Sequence, residues 1–181
     1  MPERELTQEQ FEQIIEDATY LQDEAEALRY VIDTIPYDQA PPEGQSIVEK
    51  LLFLDHLQIN YFRPVYDQVL KNQRSIHTKT HSYFEESFQI DENKASNILK
   101  VLSKLAKHRA ALINVLNKIP LIDWDRVIYK NNREITLADF TREMIRSDRK
   151  ILKEIADLVM IFQSEMENQR KIKSRQKNQP E

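Results

Sequence analysis

Cysteine is absent from this 181-residue chain, and glycine occurs once, as Gly44. The first absence excludes disulfides, thiolate metal ligands and a cysteine nucleophile. The second excludes Gly-rich phosphate loops and dinucleotide fingerprints, which need several glycines for tight turns and close backbone approach. No uncharged run approaches the roughly 18 residues that span a bilayer, so no membrane association is expected. The N-terminus, Met1-Pro2-Glu3-Arg4-Glu5, lacks the apolar core of a signal peptide, and a cytoplasmic protein is expected. An excess of positive charge is also missing. Lys and Arg number 26 against 30 Asp and Glu, a net charge of −4, so nucleic acid is not an expected partner.

What is present favours long helices. Hydrophobic residues make up 40% and charged residues 31%, which suits a globular domain with a well-solvated surface. The length suits one substantial domain. Abundant Leu, Ile, Glu, Lys and Gln, with almost no glycine, point to helix.

The first helix is expected from Thr7 to Ile35. Thr7 and Gln10 have capping-box spacing, and Phe11, Ile14, Ala18, Leu21, Ala25, Leu28 and Ile32 follow one buried face. Pro36 and Pro41-Pro42-Glu43-Gly44 then interrupt the chain. The second helix starts near Ser46, again with a capping-box glutamate at Glu49, and its broad apolar surface marks it as central. Pro64 lies inside its pattern and has no amide hydrogen, which predicts a kink near Asn60. The polar stretch from Asn72 to Asp91 predicts a long crossover with a short helix around Tyr83 to Phe88. The third helix is expected from Asp91 to Ile119, stopped by Pro120. Val127-Ile128-Tyr129 and Glu134-Ile135 flank a turn-like Lys130-Asn131-Asn132-Arg133, predicting a small hairpin. Thr136 with Asp139 caps the fourth helix. The basic, polar residues 171–181 are expected to form a disordered tail beyond a single domain of residues 1–170. Four long amphipathic helices with a long crossover make an all-α four-helix bundle.

Polar residues on buried faces are the candidates for chemistry. His56 lies midway along the second helix, and Asp148 lies on the apolar face of the fourth. A buried carboxylate needs a partner, so an Asp148–His56 pair is expected in the interior. With Tyr61, these residues mark a candidate pocket. Tyr61, Phe62, Tyr66, Tyr83, Phe84 and Phe88 otherwise read as core packing. His77 and His81 have metal-like i, i+4 spacing, but they sit in a polar connection without the Glu of His-Glu-x-x-His. His108 reads as a surface residue. Ser147, Asp148 and His56 together invite a hydrolase reading. Against it, Ser147 and Asp148 are adjacent on one helix, and no oxyanion hole is visible.

Two segments carry a resemblance. Gln45-Ser46-Ile47-Val48-Glu49-Lys50-Leu51-Leu52-Phe53-Leu54-Asp55-His56-Leu57 resembles the second-helix signature of the DinB-like (DinB/YfiT-like) family, a capped start followed by His-Leu. Ile135-Thr136-Leu137-Ala138-Asp139-Phe140 with Met144-Ile145-Arg146-Ser147-Asp148-Arg149 resembles its last helix, and Trp124-Asp125 is also typical. The resemblance extends over residues 7 to 165. It implies a four-helix bundle, a homodimer, and a divalent metal, nickel or zinc, held by one histidine of the second helix and two of the fourth. His56 matches the first position, but Ser147 and Ile151 stand at the others. A serine hydroxyl is a poor ligand at neutral pH and isoleucine is none, so the set falls short of the three protein ligands of a catalytic zinc site. The expected protein is therefore a metal-free, cofactor-free bundle that binds a small molecule or a partner, and the incomplete triad weighs against an enzyme without deciding the matter. The alternative is a metal-dependent hydrolase, or a transferase using a low-molecular-weight thiol, with His56 and non-standard ligands such as Asp148.

Overall fold

The computed structural model describes residues 5–178. Helix α1 (Gln8–Leu28) opens on the predicted capping box, with Thr7 and Gln10 each accepting the other's backbone N–H. It ends earlier than expected, and a 3₁₀ turn at Ile32–Thr34 carries the chain to Pro36. Helix α2 (Ile47–Leu57) starts on the Ser46–Glu49 capping box. It runs into a π-helical stretch at Gln58–Phe62 and then α3 (Arg63–Leu70). The disruption predicted near Asn60 thus takes the form of a π-turn. Pro64 has no N–H for the carbonyl of Asn60, and the Arg63 amide bonds back to Gln58 instead.

The crossover holds strand β1 (Ile76–Thr78) and two short helices, α4 (His81–Ser87) and α5 (Glu92–Ala95). The expected third helix is divided. Asp91 caps α5, and Asn97 caps α6 (Ile98–Lys118) by accepting the Lys100 amide. Ser96 and Asn97 spend their side chains on local backbone groups, which competes with a continuous helix. Strands β2 (Val127–Lys130) and β3 (Arg133–Thr136) form the predicted hairpin. Asn131 and Asn132 both have positive φ, 48° and 64°, as a two-residue hairpin turn requires. Strand β1, not foreseen, adds parallel to β2 with Ile76 opposite Ile128. Helix α7 (Leu137–Lys177) is capped by Thr136. The tail expected to be disordered from Lys171 is helical as far as Lys177, and residues 179–181 lie outside the described residues.

The bundle has an unusual order. Helix α1 packs on α6 and α7, and α2 also packs on α6 and α7. Chain neighbours α1 and α2 therefore stand at opposite corners. The core is continuous from Leu6 to Leu158, with Trp124 fully buried against the ring of Phe11. Among the described residues no helix is long and apolar enough to cross a membrane.

Candidate functional site

Two clefts flank α2, one toward α7 and one toward α6. The α7 side is where the resemblance places a metal. Helix α4 lies over the last turn of α2 and decides what His56 can do. The His56 Nε2 is 3.2 Å from the carbonyl oxygen of Phe84, and its ring packs on Phe88 with centroids 5.2 Å apart. The Asn60 amide nitrogen donates to the His56 carbonyl at 3.0 Å and lies 3.1 Å from Nδ1. That nitrogen is a donor, so Nδ1 accepts, and Nε2 carries the proton it gives to Phe84. Both ring nitrogens of a neutral imidazole are thus engaged.

Ser147 and Ile151 face a cleft of about 190 Å³ that His56 does not line. Helix α2 contributes Lys50 and Phe53 there, and Phe53 is one turn earlier and about 60° round the helix from His56. The crossover supplies His81, whose Nε2 is 3.2 Å from the Ser147 Oγ and whose Nδ1 is 3.0 Å from Glu85. The ring is braced edge-on by Phe53 and Tyr61. Serine, histidine and carboxylate stand in the order of a hydrolytic triad. Ser147 nevertheless sits inside α7, where its amide N–H is bound within the helix, so no backbone donor faces an oxyanion. Lys50, a half-buried cation lining the same cleft, is paired with Glu154 at 2.7 Å. His77 and His81 do not share a helix. His77 lies in β1 and stacks on Tyr129.

The expected Asp148–His56 pair does not form. Asp148 meets Arg109 of α6 at 2.8 Å, and the two are 6% and 1% exposed. Burial pushes the Asp148 carboxyl up, and the Arg109 guanidinium opposes that rise. Arg109 also donates to the carbonyl of Ala18 at 2.8 Å and to the Gln58 side chain at 2.5 Å. The Gln58 amide donates to the carbonyl of Leu105 and to Asp55 at 3.2 Å. Asp55 in turn holds His108 Nδ1 at 2.9 and 3.0 Å. An unbroken polar chain therefore runs from Asp148 through the bundle to a surface cavity of about 440 Å³ between α2, α5 and α6.

Sequence reasoning missed Arg109, Gln58 and Asp55, and it read His108 as a plain surface residue. One signal was available for Arg109. It stands at helical spacing among Leu102, Leu105, Leu112 and Leu116, where a charged residue needs an interior partner.

Tyr61 is 1% exposed and lines neither cleft. It stacks on Phe84 at 4.7 Å and meets Phe140 edge-on, the arrangement of a packed aromatic core. Burial raises its hydroxyl well above the usual tyrosine range, and that hydroxyl has no partner among the described residues. The donor set does not fit the implied metal. His56 is committed on both nitrogens, and neither Phe53 nor Ile151 can ligate. Among the described residues, no group of three or more His, Asp or Glu side chains is arranged to hold an ion.

No family model and no curated protein matches this chain in sequence. Among solved structures the chain is similar to YfiT from Bacillus subtilis, described as a probable metal-dependent hydrolase with an unusual four-helix bundle topology. The two superpose with a TM-score of 0.69 at 13% identity, over 87% of this chain and 90% of that one. The chain thus has the DinB/YfiT-like four-helix bundle fold.

Proposed function

We propose that this protein is a metal-free, small-molecule-binding bundle built on a metallohydrolase-like scaffold. The observation that carries the reading is the chemistry of the α2–α7 cleft. Phe53, Ser147 and Ile151 stand where ligands would converge, and His56 is turned away and hydrogen-bonded at both nitrogens. A phenyl ring and an isoleucine have no lone pair to give a metal ion, and His81 and Glu154 of the same cleft are engaged by Ser147, Glu85 and Lys50. What the bundle retains is a cavity on the α6 side with a fixed polar lining.

We include a homodimer in this reading. Its support is apolar surface on the distal part of α7, where Met160, Ile161 and Ile172 are 66%, 52% and 55% exposed. Native mass spectrometry of protein purified without an affinity tag tests both parts. The expected spectrum is a dimer carrying no nickel or zinc, with any adduct an organic molecule. One equivalent of metal per chain would overturn the metal-free reading, and a monomer at micromolar concentration would overturn the dimer.

A further inference from the structure

We propose that the cavity between α2 and α6 binds a small organic anion, a compact apolar body bearing a carboxylate or phosphate group. This rests on the reading above, in which the bundle holds a small molecule without a metal. The cavity, about 440 Å³, lies within the range of ligand pockets, roughly 300–1,000 Å³. One wall is apolar, formed by Leu52, Ile59 and Val101. Ile59 is 43% exposed, an unusual setting for an isoleucine on the central helix, and it sits in the π-turn that Pro64 imposes.

The cavity is also cationic. Lys94, Lys100 and Lys104 line it, and none is ion-paired among the described residues. The single carboxylate in the lining, Asp55, is already engaged by His108 and Gln58. Three lysines against one carboxylate leave an excess of two positive charges in a chain whose net charge is −4. The N-terminal end of the 21-residue α6, capped by Asn97, opens onto the same space, and its dipole has the same sign. Charges converging in a partly enclosed cleft act through a lower dielectric than on open surface.

The lysines supply attraction, and His108 supplies direction. Its Nδ1 is held by Asp55, Asp55 by Gln58, and Gln58 by Arg109, which Asp148 anchors. The imidazole is therefore fixed from the bundle interior by groups that are 1–2% exposed at Arg109 and Gln58. Its Nε2 has no protein partner among the described residues. With Nδ1–H given to Asp55, the ring meets a ligand oxygen as a donor in its imidazolium form, through Nε2–H.

The test is an NMR titration of the full-length protein with three probes: phenyl phosphate, benzoate and the neutral benzamide. Saturable shifts at Asp55, Lys100, Lys104 and the His108 ring are expected with at least one anion, and the tighter of the two identifies the head group. Benzamide should bind about tenfold more weakly, a difference of about 1.4 kcal/mol. The variant Lys100→Glu/Lys104→Glu changes only exposed side chains, so it should fold, and it should weaken the anion by about tenfold or more. Benzamide binding as tightly as the anions, anion shifts mapping to the His81–Ser147 cleft, or no saturable shift would each overturn the proposal. Metal content of the same sample is a separate readout. Stoichiometric nickel or zinc defeats the metal-free reading, whereas metal-free protein that ignores both anions defeats this inference alone.

Discussion

Asp148 is a residue whose role is decided by its neighbour. On the sequence it faces inward and needs a partner, and the partner is Arg109 rather than His56. Removing one member of a buried pair leaves an uncompensated charge, so Asp148→Ala should cost about 3–5 kcal/mol in urea denaturation. The double change Arg109→Met/Asp148→Leu removes both charges and should recover most of that loss. A double variant no more stable than Asp148→Ala would contradict the pairing. Two tyrosines give a contrasting prediction. The Tyr66 hydroxyl is 2.7 Å from Thr141 Oγ1, which itself donates to the carbonyl of Leu137, whereas the Tyr61 hydroxyl is buried without a partner. Tyr66→Phe should destabilise by about 1 kcal/mol, and Tyr61→Phe should be neutral or stabilising by about that amount. Burial raises both hydroxyls in the folded state. Their contribution is fully present below the unfolded value of about 10 and is lost as pH rises from there toward the folded value. Stability measured above about pH 10 should therefore fall more steeply in the wild type than in Tyr61→Phe/Tyr66→Phe.

At the scale of elements, local signals were legible and distant ones were not. The three helix caps at Thr7, Ser46 and Thr136 follow from side-chain chemistry within four residues, and all three form. The effect of Pro64 was likewise local. The placement of His81 was not, because the crossover that carries it is positioned by α2 and α7, far away in sequence. The same applies to β1, a three-residue strand specified by its pairing with β2. His56 and Phe53 share one apolar stripe of α2, and only the path of α4 separates the covered one from the one at the cleft. This makes a sharp prediction. Ser147→His/Ile151→His should not create a tight zinc site with the resident His56, whereas adding Phe53→His should, as isothermal titration would report. Tight zinc binding by the double variant, lost again in His56→Ala, would contradict the assignment. Helix α7 gives another. Burial ends near Leu158 and the following residues are largely exposed, so in dilute, monomeric protein amides of residues 168–177 should exchange much faster than those of 137–158, and slow as the dimer proposed from Met160, Ile161 and Ile172 forms. Equal protection along the helix would mean that a partner covers its end.

The whole molecule is a bundle with two faces on α2. Toward α7, Phe53, Ser147 and Ile151 stand where the resemblance would place metal ligands, beside His81, which is engaged by Ser147 and Glu85. Toward α6, a polar chain anchored at Asp148 reaches a cationic cavity. The fold is a bundle like that of YfiT, and the side chains distribute its resources differently from a three-histidine centre. The proposed metal-free state leaves this scaffold without a transition-metal site. It is tested most directly by titrating nickel and zinc into tag-free wild-type protein and His56→Ala by calorimetry. The expected result is no saturable site tighter than about micromolar, corresponding to about −8 kcal/mol, and no difference between the two proteins. One equivalent of metal bound well below micromolar by the wild type and lost in His56→Ala would contradict it.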